Sequence, residues 1–264
     1  MDKVIYTVFL AVSFFASVVG SICGIGGGVI IKPVLDLLGI MDITTISFLS
    51  GCTVLAMSLY SVIQNKLSGK LKKSGLAELF LAFGGAVGGI AGKILFQEIK
   101  SLFKNPDTVG AVQAFCLIVL TFGTLFYTLF KSRIKTYHIR SMAVCLIIGL
   151  ILGILSSFLG IGGGPINLVI LYFFFSMTTK EAASGSLYII CFSQISSLAA
   201  NIVSGSVPKV DWRILAGMIL CGLLGGITGR FFNKKINDKI VERLFIGLMV
   251  LIVLINIYNV YRYI

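Results

Sequence analysis

The pentapeptide GIGGG stands at residues 24–28, and it returns unchanged at residues 160–164, an offset of 136. Five more identities keep that offset: Ser21 and Ser157, Met41 and Met177, Ser50 and Ser186, Ser61 and Ser197, and Asn65 and Asn201. With one residue inserted, GGIAGK at 88–93 matches GGITGR at 225–230. A series of matches in register indicates a tandem duplication. We predict a first repeat at residues 1–131, a basic linker at 132–139 and a second repeat at 140–264.

The composition excludes a soluble domain. Hydrophobic residues make up 57% of the chain and charged residues 12%, whereas a soluble domain carries about 25% charged residues. The apolar residues also form several runs long enough for a transmembrane helix, which needs about 20 residues. The sequence therefore predicts an all-α, polytopic membrane protein.

Each repeat reads as the same five elements in the same order. We expect a helix that ends at the glycines (4–22 and 141–159), a short apolar segment (29–39 and 165–176), a helix with a polar stripe (44–64 and 182–203), a glycine-rich helix (76–96 and 212–232) and a closing helix (109–130 and 240–262). The short segment has about 11 residues, which at 1.5 Å per residue cover about half of the hydrocarbon core. Each repeat thus has about four full helices and one short half-helix after a glycine-rich break.

The loop charges predict opposite orientations for the two repeats. Loops 65–75, 131–140 and 230–243 carry an excess of Lys and Arg and are expected in the cytoplasm, while 97–107 and 204–211 are nearly neutral and expected outside. Equivalent loops then lie on opposite sides, as in inverted-topology repeats, and the N-terminus lies outside. The net charge of +12 comes from these short loops. It therefore predicts a lipid bilayer as the surroundings and not a nucleic acid.

The two glycine clusters are candidates for binding an anion. A short helix that begins inside the membrane offers free N–H groups and the positive end of its dipole, and the pseudo-twofold would bring two such ends together. The alternative is that the glycines only permit a tight turn and close packing. The candidate residues are Gly24, Gly26, Gly27 and Gly28 in the first repeat and Gly160, Gly162, Gly163 and Gly164 in the second.

Polar side chains inside the predicted helices add further candidates. Hydroxyl and amide groups at helical spacing either line a cavity, where they suit an oxyanion, or form hydrogen bonds between helices. These candidates are Ser50, Ser58, Ser61, Ser186, Gln194 and Ser197. Lys32 and Asp36 lie four residues apart on the first short segment and can pair. Lys32 is a candidate contact for an anion and Asp36 for a coupling proton, unless both are solvated at the interface.

Two apolar halves, each with Ser-x-x-Gly-Ile-Gly-Gly-Gly (Ser21 to Gly28 and Ser157 to Gly164) and a short apolar segment after it, resemble the sulfite exporter TauE/SafE family. The resemblance covers the whole chain in length, duplication and helix order, and Pro165 after the second cluster fits it. It implies a secondary transporter of a sulfur-containing anion such as sulfite, thiosulfate or an organosulfonate, coupled to a proton gradient. It leaves the direction of transport open.

Other functions stay open from the sequence. A carrier of another small anion, such as a carboxylate, or a passive anion channel would use the same features. Because no clustered His, Cys or carboxylate residues and no catalytic pairs occur in the predicted helices, we expect no metal, no cofactor and no enzyme activity. The expected location is a cell membrane of bacterial type, with several spans. The number of subunits is not determined by the sequence.

Overall fold

The computed structural model describes residues 3–67, 76–103, 106–139 and 141–263, and this part of the chain is helical with no strands. The first repeat contains α1 (Lys3–Cys23), α2 (Gly28–Leu38), α3 (Ile43–Leu67), α4 (Leu76–Leu102) and α5 (Pro106–Phe130). The second contains α6 (Met142–Leu159), α7 (Pro165–Phe175), α8 (Thr179–Val203), α9 (Trp212–Lys235) and α10 (Asp238–Tyr263). The all-α prediction is confirmed, and the helices follow the order expected for each repeat.

Eight of the described helices are long and apolar enough to cross a membrane: α1, α3, α4, α5, α6, α8, α9 and α10. The other two, α2 and α7, have 11 residues each and directly follow the glycine clusters. A helix of this length covers only about half of the hydrocarbon core. The prediction of four full helices and one half-helix per repeat is confirmed, and the chain is a multi-pass membrane protein.

The two repeats are interleaved and do not form separate halves. Helix α4 of the first repeat packs along α6 and α8 of the second, and its equivalent α9 packs along α1 and α3 of the first. Helix α3 also packs against its own equivalent, α8, and α5 packs against its equivalent, α10. Each contact has a partner under exchange of the repeats, so the helices are arranged around a pseudo-twofold axis.

Equivalent helices on the axis run in opposite directions. Lys131, at the end of α5, lies 2.5 Å from Glu242 near the start of α10, whereas Gly110 near the start of α5 lies against Tyr263 at the end of α10. The two helices are therefore antiparallel. An antiparallel arrangement of these two equivalent helices is the geometry that an inverted repeat predicts.

The connecting segments gather at the two ends of the bundle. At one end, called the outer face, Gln97 binds Ser206 and Lys100 binds Thr44. At the other, called the inner face, Lys180 donates to the carbonyl of Ile236. The segments 97–103 and 204–211 thus share the outer face, while 131–139 and 235–243 share the inner face, where their basic residues lie. Most of the predicted basic loop 65–75 falls outside the described residues, as does Arg140.

Close helix packing depends on the glycines of α4 and α9. In α4, Gly84, Gly88 and Gly92 lie directly against the main chain of α6, and in α9, Gly225 and Gly229 lie against α1. A Cβ atom at Gly88 would overlap the carbonyl oxygen of Leu150. Small residues that let backbones approach are typical of membrane interfaces. The glycines thus let α4 and α9 pack closely against helices of the opposite repeat.

We predict that Gly88→Ala lowers stability, because the new methyl group pushes α4 away from α6; overpacking of this kind costs about 1–3 kcal/mol. Gly123→Ala in α5 is the matched control, since nothing lies within 4 Å of that position. Thermal unfolding of the purified protein in detergent should show a lower Tm for Gly88→Ala and an unchanged or higher Tm for Gly123→Ala. Equal melting of the two variants would contradict the packing role.

Candidate functional site

The two glycine clusters meet in the middle of the bundle. A Cβ atom on Gly28 would overlap the carbonyl oxygen of Ile161, and one on Gly26 would lie 3.8 Å from the carbonyl oxygen of Gly162. On the other side of the contact, a Cβ atom on Gly164 would lie 3.1 Å from Val29. The structure therefore brings the N-terminal ends of α2 and α7 together, and the backbones of both breaks touch at the contact.

The repeated motif repeats its backbone conformation at its first and third residues, whereas Gly163 and Gly164 have φ angles of 124° and 114° that Gly27 and Gly28 do not share. Gly24 and Gly26 have φ angles of 75° and 77°, and their equivalents Gly160 and Gly162 have 65° and 75°. These left-handed values are strained for residues with a side chain. The motif therefore needs glycine at these positions to turn the chain from a long helix into a short one inside the membrane. The tight-turn interpretation and the binding interpretation of the sequence are compatible with this geometry.

The starts of α2 and α7, like that of α6, lack the side-chain caps that α3, α8 and α9 have. Asp42 accepts a hydrogen bond from the Thr45 N–H at the start of α3, and Thr178 and Asp211 cap α8 and α9. By contrast, the N-cap residues of α2 and α7 are Gly27 and Gly164, with no side-chain hydrogen bond. The first N–H groups of a helix have no intrahelical acceptor. Two such ends, buried and facing each other, are suited to bind an anion.

The candidate hydroxyl groups divide into two kinds. Ser58 and Ser61 are buried, but they donate to the carbonyls of Leu55 and Met57 in their own helix. Ser50 and its equivalent Ser186 are fully buried, and their hydroxyls have no hydrogen-bond partner among the described residues. Because a hydroxyl has one proton to donate, Ser50 and Ser186 are better placed than the other two to bind a ligand.

Only some of the candidates lie at the glycine contact. The Ser50 hydroxyl is 3.0 Å from the position of a Cβ on Gly28. The Gln194 amide lies beside the second break, with its Cδ atom 3.6 Å from the position of a Cβ on Gly162. Ser197, one turn further along α8, is buried, but no close approach to either break places it at the contact. Ser50 and Gln194 thus join the glycines, one from each repeat.

Asn167 is a site residue that the sequence analysis missed. It is fully buried in the first turn of α7, and neither its amide nitrogen nor its amide oxygen has a partner among the described residues. Its nitrogen lies 3.0 Å from the position of a Cβ on Gly163. An unsatisfied buried amide costs about 1–3 kcal/mol. Its equivalent in the first repeat is Ile31, so the repeat comparison gave no signal; a polar residue in an apolar half-helix was the available clue.

Lys32 and Asp36 form a buried ion pair and are not solvated at the interface. Their side chains are 4% and 6% exposed, and the Lys32 Nζ lies 2.9 Å from Asp36 Oδ2. The other carboxylate oxygen, Oδ1, has no hydrogen-bond partner in the part of the chain that the structure describes. Gly160 lies beside this pair, with the position of its Cβ 3.5 Å from Lys32 Cε and 2.7 Å from the Ser47 hydroxyl. A buried charge pair therefore stands next to the second glycine break.

The closing helix α10 holds α2 in place. Asn259 donates to the carbonyl of Pro33, and Arg262 donates to the carbonyls of Asp36 and Leu37 at the C-terminal end of α2. A cation at this end also complements the negative end of the helix dipole. The half-helix that carries the ion pair is thus anchored at the outer face, while its other end is free to face the second break.

Comparisons with known proteins agree with this architecture. A family model described as sulfite exporter TauE/SafE matches residues 9–255. The chain is 22% identical over 276 residues to a curated protein of Bacillus subtilis (strain 168) named "Probable membrane transporter protein YunE", and the alignment covers 94% of this chain and 95% of that protein. No solved structure matches the chain at a significant level.

The buried ion pair leads to a stability prediction. Lys32→Met leaves the Asp36 carboxylate buried without its partner, and breaking such a pair costs about 3–5 kcal/mol. The double variant Lys32→Met with Asp36→Leu removes both charges and should recover much of the lost stability. Thermal unfolding in detergent at neutral pH measures both variants. A double variant that melts as low as the single one, or a single variant that melts like the wild type, would contradict the pair as described.

Proposed function

The chain belongs to the sulfite exporter TauE/SafE family, and on this basis we propose that it is a secondary transporter of a small sulfur-containing anion. The substrates that fit are sulfite, thiosulfate and organosulfonates. The anion binds between the two repeats at the contact of the glycine breaks, and it crosses by alternating access. The observation that carries the proposal is the meeting of two helix N-termini without side-chain caps inside the membrane.

The chemistry of the contact suits an oxyanion that has lost its water shell. The positive ends of two helix dipoles converge there, and nearby unpartnered polar groups include the hydroxyl of Ser50 and the amide of Asn167. Several oxygens on one sulfur atom accept hydrogen bonds from donors on different sides. Lys32 adds a positive charge beside the second break. A carboxylate also accepts such bonds, and for this reason substrate competition belongs in the test.

The direct contact between the two breaks supports alternating access. Because the backbones touch at this contact, an anion passes between them only after the breaks have moved apart, which is a step of alternating access and not of a permanently open channel. In repeat transporters, one repeat moves against the other around a fixed site near the midplane. Here the interleaved packing of α4 with α6 and α8, and of α9 with α1 and α3, provides the two bodies for such a movement.

Asp36 is the proposed site of the coupling proton. When its carboxylate takes up a proton, Lys32 keeps its charge and loses its counter-ion, which strengthens the attraction for an anion close to Gly160. Proton binding and anion binding then favour each other, which is the thermodynamic condition for coupled transport. The unpartnered Oδ1 atom leaves one side of the carboxylate open to a proton.

We predict saturable counterflow of a sulfur anion by the purified protein in proteoliposomes, with no flux of chloride. Gly26→Ala should lower this flux about tenfold, because it adds a methyl group between the two breaks, 3.8 Å from the Gly162 carbonyl oxygen. Gly247→Ala is the control, since nothing lies within 4 Å of that position in α10. Only Gly26→Ala should lose transport, and thermal unfolding in detergent should show that both variants are folded.

Several outcomes of this assay would contradict the proposal. Flux without saturation or counterflow would indicate a channel. Competition by carboxylates alone would move the substrate to another class of anion. Equal transport by Gly26→Ala and Gly247→Ala would show that the position at the contact is not needed for transport.

The coupling role of Asp36 is tested separately. Asp36→Asn keeps the shape of the side chain and removes its titratable group. We expect the variant to retain counterflow of the anion without a pH gradient and to lose the stimulation of net transport by an imposed gradient. Net transport that responds to the gradient as in the wild type would exclude Asp36 as the coupling group and leave the anion site unaffected.

A further inference from the structure

A basic cleft opens at the outer face, away from the contact of the two breaks. Its volume is about 710 Å³, and its charged lining consists of Lys93, Lys100, Lys209 and Asp42. Burial raises the pKa of Asp42, but hydrogen bonds from Thr45 and the charge of Lys100 outweigh this effect and lower the pKa below its usual value. The Asp42 carboxylate is thus ionised at neutral pH, and it accepts the capping hydrogen bond at the start of α3. With three lysines and one aspartate, the cleft has a positive net charge.

Lys93 is the buried cation of this cleft. It is 8% exposed, and its ammonium lies 4.7 Å from the centre of the Phe96 ring. No described side chain accepts a hydrogen bond from its ammonium, while Lys100 and Gln97 in the same cleft donate to Thr44 and Ser206. The ammonium is therefore available for a charge-assisted hydrogen bond to an anion in the cleft. Its position at the cleft wall directs it to a ligand that enters from the outer face.

The repeat supplies an internal comparison. Arg230 is the equivalent of Lys93 in the matched segment GGITGR, and the protein supplies acceptors for its Nη1, which donates to the Asn65 side chain at 2.6 Å and to the Ser61 carbonyl at 3.2 Å. Its buried Nε has no partner among the described residues. Asn201 is the equivalent of Asn65, and its side-chain oxygen is buried without a partner among the described residues. The hydrogen bond between Arg230 and Asn65 therefore has no equivalent between Lys93 and Asn201 among the described residues.

We propose that Lys93 binds a small oxyanion in this cleft, which makes the cleft an entry site that the substrate occupies before it reaches the glycine contact. The assignment of the anion as a sulfur oxyanion rests on the proposed function. The polar groups beside Lys93 on the same wall are the Gln97 amide and the Ser206 hydroxyl, which already bind each other and can turn toward a ligand. Because the breaks touch in this conformation, a free anion from outside meets Lys93 first.

The test is equilibrium binding of radiolabelled thiosulfate to the full-length protein in lipid nanodiscs, which needs no transport. Lys93→Met keeps the bulk of the side chain and removes its charge, and it should weaken binding about tenfold, as expected for loss of a charge-assisted hydrogen bond. Lys239→Met is the matched control, since Lys239 is exposed at the inner face. This control should bind thiosulfate as the wild type does.

A second variant guards against a purely structural effect. Lys93→Cys should bind thiosulfate weakly, and treatment with aminoethyl methanethiosulfonate, which places an ammonium on the thiol, should restore binding. The treated wild type serves as the control for the native cysteines. Restoration supports a ligand role for the cation. Weak binding that persists after treatment overturns the inference.

The binding result is separable from the transport result. Equal affinities for Lys93→Met and Lys239→Met, or no saturable binding by folded wild-type protein, overturn the entry site even if transport is found. Binding that depends on Lys93 in a protein that transports no sulfur anion supports the entry site and contradicts the proposed function.

Discussion

The structure depends on one constraint: a bilayer offers no water to the backbone, so every N–H and C=O group inside it needs another partner. Eight helices meet this constraint within themselves. The two glycine breaks do not, because each ends one helix and begins another inside the membrane. Their exposed backbone groups face each other at the pseudo-twofold axis, where lipid is excluded. A polar ligand at this contact would replace hydration that the membrane removes.

The rest of the fold keeps the two breaks in position. Glycines in α4 and α9 allow these helices to lie against the backbones of the opposite repeat, so each packed body combines helices of both repeats. Asn259 and Arg262 in α10 fix the C-terminal end of α2, which leaves the N-terminal end to face the contact. Helix packing and the hydrogen bonds from α10 thus hold the positive N-terminal end of α2 at the contact between the two breaks.

Much of this architecture was predictable from the sequence, because it depends on features that are local or repeated. The pentapeptide and the apolar runs predict the helix bounds within a few residues, and the loop charges indicate a reversed second repeat.

Side-chain partners were not predictable in the same way. The burial of Lys32 and Asp36 depends on α3 and α10 covering α2, and the isolation of Asn167 depends on the contact between the breaks. The repeat comparison also gave no signal for Asn167, because its equivalent in the first repeat is the apolar Ile31. Arg230 donates hydrogen bonds to Asn65 and Ser61, whereas no described side chain accepts one from Lys93. Equivalent positions in the two repeats thus differ in their hydrogen-bond partners.

The central claim is that an anion binds between the two breaks. The most direct measurement is an anomalous difference map from crystals of the protein soaked with selenate, a heavier analogue of a sulfur oxyanion. The account predicts a selenium peak beside the N-terminal ends of α2 and α7, within hydrogen-bond reach of the glycine backbones or of Ser50 and Asn167. A well-ordered structure with selenium peaks only elsewhere, and none at this contact, would contradict it.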